Sequence, residues 1–229
     1  MELLEGFLKA LQLIVSLDPE VMEVAGRSLR ISLTSCLLAS ALCVPLGVLV
    51  YFADFPGKRA FINLVQTLYA LPTVVVGLFV FVLLSRKGPL GDLGLLFTPT
   101  AMIIGQVILI SPILTGLVIS ALSGVGRETY ETAMALGASN LQAAVVALRE
   151  ARYSVFAAII MGFSRALSEV GCALMVGGNI RGFTRVLTTA ISLETTKGNI
   201  ELSLALGMIL LGLALVVNVA LNFLQGKYQ

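Results

Sequence analysis

The chain contains no histidine and no tryptophan, and only 12% of its 229 residues are charged. Without histidine, no histidine-based metal site, proton relay or catalytic dyad can form. Soluble domains carry about 25% charged residues, so the low charge excludes a soluble protein of this size. The three cysteines show neither metal-ligand spacing nor a disulfide framework, and we interpret them as small buried apolar side chains. We therefore predict no metal site and no cofactor.

The residues present are mainly apolar, at 58% of the chain with a mean hydropathy of +0.99. Four windows lack any charged side chain, and each provides the roughly 20 residues that cross hydrocarbon: 31–53, 60–85, 93–126 and 202–226. A fifth window, 153–180, is interrupted only by Arg165 and Glu169. Helices satisfy every backbone polar group inside lipid, so the sequence predicts an all-α membrane protein with five transmembrane helices.

The N-terminal segment lacks the basic region and the cleavage site of a signal peptide. Leu4, Phe7, Leu8 and Leu11 recur at helical spacing, which predicts an amphipathic helix at the membrane interface. We expect three units: the interfacial helix at 1–25, a membrane domain at 26–225 and a tail at 226–229. The distribution of Lys and Arg does not favour an external N-terminus, so charge leaves the orientation open.

The stretch "YETAMALGASN" interrupts the apolar windows between the third and fourth predicted spans. Good helix formers run from residue 128 to 136, and Gly137 then provides the left-handed position at which helices commonly end. Ser139 and Gln142 have the spacing of a capping box, which predicts a second helix from Asn140. The pattern predicts a rigid projection whose apolar side chains fit a partner, although an ordinary surface loop is an equally open interpretation.

This stretch resembles the E-A-A-x-x-x-G signature of permease subunits of ATP-binding-cassette importers. Glu131, Ala133 and Gly137 match, Thr132 replaces the middle alanine, and Arg149 and Glu150 stand where many relatives carry Leu-Pro. The resemblance implies that the loop at about 123–152 is cytoplasmic and docks on a separate ATPase subunit. The coupling residues expected from it are Tyr130, Glu131, Ala133, Met134, Leu136, Gly137, Ala138, Ser139 and Gln142.

Three further segments, 70–78, 162–171 and 175–195, resemble the oxyanion branch of these permeases, most closely the tungstate-transport permeases. The resemblance implies a MetI-like permease fold working as a homodimer in a prokaryotic inner membrane, with the N-terminus outside and the C-terminus cytoplasmic. It also implies an extracytoplasmic oxyanion-binding protein, no nucleic-acid partner, and tungstate or molybdate as substrate. Because "FPGKRAF" lacks the spacing of a nucleotide-binding loop, we expect the chain to be non-enzymatic and a partner to hydrolyse ATP.

Polar residues within the predicted spans are candidates for the translocation path. Pro72 should bend the second span and place the Thr73 hydroxyl on a polar route, and Gln106 and Ser111 precede a second proline, Pro112, in the third span. Bends with a purely structural role are an equally open interpretation.

Arg165 and Glu169 lie one turn apart near the membrane centre, where charges are usually functional. A packing ion pair, or the conducting charges of a secondary anion transporter or channel, are the alternatives.

The segment after the fourth predicted span is polar and rich in threonine, and it contains Asn179, Arg181, Thr184 and Arg185. Guanidinium and hydroxyl donors suit a tetrahedral oxyanion. Arginines that extend from a headgroup-level helix toward water are the other interpretation of this outer segment.

Overall fold

The computed structural model describes residues 2–124 and 126–226, and this part of the chain is helical without strands. The C-terminal tail predicted at 226–229 lies outside the described residues except for its first position. The helices are α1 (Glu2–Val15), α2 (Pro19–Phe52), α3 (Lys58–Thr67), α4 (Thr73–Leu84), α5 (Pro99–Ser123), α6 (Gly126–Ala135), α7 (Asn140–Glu150), α8 (Arg152–Leu167), α9 (Gly171–Gly177), α10 (Leu187–Thr196) and α11 (Ile200–Gly226). Short 3₁₀ turns occupy Leu68–Ala70 and Gly91–Leu93.

Three helices, α2, α5 and α11, are long and apolar enough to cross a membrane. Two bent pairs, α3–α4 and α8–α9, raise the number of candidate spans to five if each pair counts as one. This agrees with the five apolar windows. Pro72 predicted a bend within one continuous helix in the second span. The structure instead has two separate helices there, which meet at 97°. Proline lacks a backbone N–H, and here it precedes the first residue of a new helix.

The long helix α2 begins at Pro19, where the Asp18 side chain accepts a hydrogen bond from the backbone N–H of Val21. It continues without a break through Gly26, the boundary expected between the N-terminal segment and the membrane domain. The preceding helix α1 packs against α11, and Lys9 forms an ion pair with Glu201 at 3.3 Å. Several apolar side chains of α1, including Leu4 and Leu8, remain exposed.

The centre of the bundle is the pair α2 and α5, against which α8 packs. Inside lipid, helices associate through close van der Waals contact, which small residues permit. Ala39 is fully buried at this interface, and a Cβ on Gly47 would come within 2.7 Å of Val118. The far end of α2 reaches the α6–α7 unit, where Phe52 stacks on Tyr130 with ring centroids 4.4 Å apart.

The two bent spans meet close to their breaks, and α4 packs along α9. A Cβ on Gly171 would come within 2.7 Å of the Thr73 hydroxyl, so the first residue of α4 lies directly against the first residue of α9. Cys172 follows and occupies a notch between Gly77 and Gly105, where a Cβ on either glycine would overlap it. Its thiol is fully buried.

We expect Gly105→Ala to lower the thermal stability of the purified protein, because the added methyl group overlaps the Cys172 sulfur. Overpacking of a filled core costs about 1–3 kcal/mol. Removing the sulfur by Cys172→Ala in the same chain should recover part of the loss, as expected for directly coupled positions. Gly207→Ala is the matched control, since nothing lies within 4 Å of that Cβ position. Equal melting temperatures for the Gly105 and Gly207 variants would contradict this packing.

Candidate functional site

The α6–α7 unit is built around a left-handed glycine. Gly137 has φ +92° and is part of a Schellman motif. In this motif the Ala138 N–H donates to the Ala133 carbonyl and the Gly137 N–H donates to the Met134 carbonyl, each at 3.0 Å. These bonds satisfy carbonyls that the end of α6 would otherwise leave open. The turn geometry expected at Gly137 is therefore present.

The second helix of the unit starts with the predicted capping box. The Gln142 N–H donates to the Ser139 hydroxyl at 3.4 Å, and the Ser139 N–H donates to the Gln142 side chain at 2.9 Å. On α6, Arg127 and Glu131 form an exposed ion pair at 2.9 Å, and this carboxylate raises the pKa of the arginine. The local geometry is thus fixed at both sides of the turn.

Exposure separates the side chains that are available to a partner from those that are not. Leu136 is 85% exposed and Met134 is half-exposed, whereas the Tyr130 ring stacks on Phe52 within the chain. Leu141, at 77% exposure, is a further exposed apolar side chain of the unit and was not predicted from the sequence, although an apolar residue two positions after the capping serine was a usable signal. An open cleft of about 700 Å³ runs between α6 and α7, lined by Ala133, Leu136 and Val146 among others.

Among the residues assigned to the translocation path, Thr73, Gln106 and the Arg165–Glu169 pair gather around the break between α8 and α9. Buried Gln106 donates to the Ala166 carbonyl at 3.1 Å and thereby ties α5 to the last turn of α8. Ser111 is not linked to this group, since its hydroxyl donates to the Val107 carbonyl within its own helix at 2.6 Å.

Arg165 and Glu169 form an ion pair, with 2.9 Å between Arg165 Nη1 and Glu169 Oε2. The arginine side chain is 33% exposed and the glutamate only 2%. The other carboxylate oxygen of Glu169 accepts the Cys172 N–H at 2.9 Å, and its backbone carbonyl accepts the Thr188 hydroxyl at 2.7 Å. Glu169 therefore links α8, α9 and α10, whereas the arginine alone has surface that a passing anion could reach.

The outer segment is largely occupied by internal bonds. Thr184 is fully buried and donates to the Gly177 carbonyl at 2.5 Å, and Asn179 donates to the Thr189 carbonyl at 3.3 Å. Arg181 donates to Glu20, and Arg185 Nη1 lies 3.6 Å from the same carboxylate. Because one glutamate partly neutralises both guanidinium groups, this segment is a weak attractor for a free dianion.

The sequence matches the family described as "Binding-protein-dependent transport system inner membrane component" over residues 43–229. The chain belongs to this family. It is accordingly a multi-pass inner membrane component of an ABC transporter, and it is not the catalytic subunit, since a separate ATPase hydrolyses ATP in these systems. The exposed apolar side chains of α2 and α11 fit a lipid-facing surface.

Among relatives of this permease, the tungstate uptake system permease protein TupB of Peptoclostridium acidaminophilum is 41% identical over 96% of the chain and 97% of that protein. A probable anion ABC transporter permease protein of Haloferax volcanii is 44% identical over 86% of the chain and 88% of that protein. The resemblance to tungstate permeases is thereby confirmed at the level of sequence similarity.

Solved structures confirm the fold of the permease. An alginate ABC transporter in complex with an alginate pentasaccharide-bound periplasmic protein superposes with a TM-score of 0.76 at 17% identity, over 94% of this chain and 82% of that one. The MetNI methionine ABC transporter superposes with a TM-score of 0.67 at 17% identity, over 91% and 94%. The MetI-like permease fold predicted from the sequence is therefore correct.

Proposed function

We propose that the chain is the permease subunit of an ATP-driven importer of a tetrahedral oxyanion, with tungstate as the preferred substrate. Two copies enclose the path, a binding protein delivers the anion at the outer face, and separate ATPase subunits bind the opposite face. The N-terminus then lies outside and the C-terminus in the cytoplasm.

The α6–Gly137–α7 unit carries this proposal. It consists of two short helices joined at Gly137, with capping hydrogen bonds on both sides of the turn and with Leu136 and Leu141 exposed. Exposed apolar side chains on a rigid projection are suited to a groove in a partner protein. Through its stack on Phe52, Tyr130 connects the unit to α2, so that movement of the unit is passed to a helix of the central pair.

Tungstate is proposed because the relatives named for it match nearly the full chain length, and because the Arg165–Glu169 pair of the bent α8–α9 span places a positively charged side chain at the surface. Arg165 attracts an anion, and its pairing with Glu169 limits that attraction, so the anion is not trapped. The final choice among oxyanions is expected to belong to the binding protein.

Uptake by a reconstituted complex tests this function. The chain is purified with its co-purifying subunits and placed in liposomes with the cognate binding protein outside and ATP inside. Tungstate uptake should require ATP, and excess sulfate should compete poorly. A chain that never co-purifies with an ATPase, or that moves the anion without ATP, would instead fit a secondary transporter or channel.

The proposed orientation has its own test, which uses single cysteines in a chain freed of Cys36, Cys43 and Cys172. Asn140→Cys at the α6–α7 unit should react with an impermeant thiol reagent only from the cytoplasmic side. Thr196→Cys at the end of α10 should react only from outside; it is preferred to Gly198, where φ +79° disfavours cysteine. The opposite labelling pattern would remove the ATPase from reach of the unit.

A further inference from the structure

A cavity of about 330 Å³ lies where α1, α2, α10 and α11 meet, at the end of the molecule opposite the α6–α7 unit. Its mouth carries three cations and three anions, which are Arg181, Arg185, Lys197, Asp18, Glu20 and Glu194. Its floor is apolar and is formed by Leu13, Val21, Val24, Ala190, Leu202 and Leu206. Charge of both signs over an apolar floor is a pattern that suits an amphiphile.

Within the described residues, one cationic group in the cavity lacks an acceptor. Arg185 Nε is buried and donates no hydrogen bond to any of them, while Arg185 Nη1 lies 3.6 Å from Glu20. The backbone at Arg185 is fixed, because Arg27 Nη1 donates to the Arg185 carbonyl at 2.9 Å. A buried N–H donor on a charged group is costly unless an acceptor reaches it, and a phosphate oxygen is a suitable one.

Hydrogen bonds keep Glu194, on the anionic side of the cavity, in its ionised form. Lys197 donates to Glu194 at 2.8 Å and Asn199 donates at 3.2 Å, and the Lys197 hydrogen bond above all lowers the pKa of Glu194. Glu194 therefore presents a carboxylate to the cavity at neutral pH, and the Asp18 side chain also lines the cavity. These carboxylates attract a cationic group and disfavour a second anion.

The position of the cavity along α11 matches the boundary between headgroups and acyl chains. Glu201 is the last charged residue before an uncharged stretch that runs from Leu202 to residue 226, and Leu202 and Leu206 form part of the cavity floor. Next to the cavity, α1 exposes the apolar side chains of Leu4, Leu8 and Leu11. Acyl chains that leave the cavity would meet this apolar surface.

We propose that this cavity binds the headgroup of a zwitterionic phospholipid with a primary amine, that is, phosphatidylethanolamine. The phosphate accepts hydrogen bonds from Arg185, the ammonium group lies at Glu194 and Asp18, and the acyl chains run along α1 and α11. The equal numbers of opposite charges at the mouth select a headgroup without net charge. The lipid joins α1 and α10 to the start of α2, independently of which anion is transported.

Binding is measured by native mass spectrometry and by thermal shift on the delipidated complex in detergent. Phosphatidylethanolamine should bind at one site per chain and raise the melting temperature. Phosphatidylglycerol should bind roughly tenfold more weakly, because it brings a phosphate without an ammonium group. Water-soluble glycerophosphoethanolamine should bind only weakly, since it lacks the acyl chains that contact α1. Equal affinity for the two lipids would overturn the proposal.

Two variants are expected to change lipid affinity in opposite directions, and a control variant is expected to leave it unchanged. Arg185→Gln should weaken phosphatidylethanolamine binding by roughly tenfold. Glu194→Gln leaves the cavity with one excess positive charge and should bring phosphatidylglycerol to equal or tighter binding, a gain that misfolding cannot imitate. Arg86→Gln removes an exposed arginine outside the cavity and should change neither lipid. Unchanged lipid affinity in Arg185→Gln would show that the cavity is not a lipid site.

Discussion

Replacing Gly137 with valine is expected to uncouple ATP hydrolysis from transport while the protein still inserts and folds. Gly137 has φ +92°, a conformation that costs other L-residues about 1–2 kcal/mol and a β-branched residue more. No atom lies within 4 Å of its Cβ position, so the whole effect comes from the backbone turn. The Schellman bonds to Ala133 and Met134 should open, and the start of α7 should shift away from the partner surface.

The measurements are ATPase activity stimulated by the loaded binding protein, and tungstate uptake in liposomes. Both should fall at least tenfold in Gly137→Val, while the melting temperature changes little. Gly137→Asn is the matched control, because asparagine tolerates the left-handed conformation, and it should retain most of the activity. Full substrate-stimulated ATPase activity in the valine variant would remove the coupling role from this turn.

A second large effect is expected when Arg165 is replaced by leucine. The change leaves the carboxylate of Glu169 buried without its ion-pair partner, and breaking such a pair costs about 3–5 kcal/mol. Because a third of the Arg165 side chain is exposed, the lower end of that range is expected. The protein should express poorly and melt at a lower temperature.

Adding Glu169→Gln to Arg165→Leu separates stability from transport. Glutamine keeps an acceptor for the Cys172 N–H and removes the unpaired charge, so the melting temperature should largely recover. Tungstate uptake should remain low, since neither leucine nor glutamine supplies positive potential to the anion. Recovery of uptake together with stability would identify the pair as a packing device with no role in the path.

Local chemistry explains what could be predicted from the sequence. The turn at Gly137 and the capping box at Ser139 depend on residues within three or four positions, and both are present as expected. The five apolar windows likewise predicted the candidate spans, because length and hydropathy are properties of each segment alone.

Contacts between distant segments explain what could not be predicted. Pro72 indicated a bend, but the 97° angle depends on how α4 packs against α9. The stack of Tyr130 on Phe52 and the hydrogen bond from Gln106 to Ala166 join residues far apart in the chain, so no periodicity indicates them. The end of α8 at Leu167 is marked by no proline, and the bonds of buried Glu169 to Cys172 and Thr188 in the next helices follow directly after it.

The contact between the two broken spans has a consequence for how the protein is made. The α4 half of the second span has 12 residues, about 18 Å of helix, too short to cross the roughly 30 Å core alone. Its neighbour Gly171 follows Thr73 by 98 positions, and ribosomes add about 5–20 residues per second. After synthesis of Thr73, the bent segment therefore waits on the order of 5–20 s for its partner. During insertion it must be held by α5 or by the cell's insertion machinery until α9 arrives.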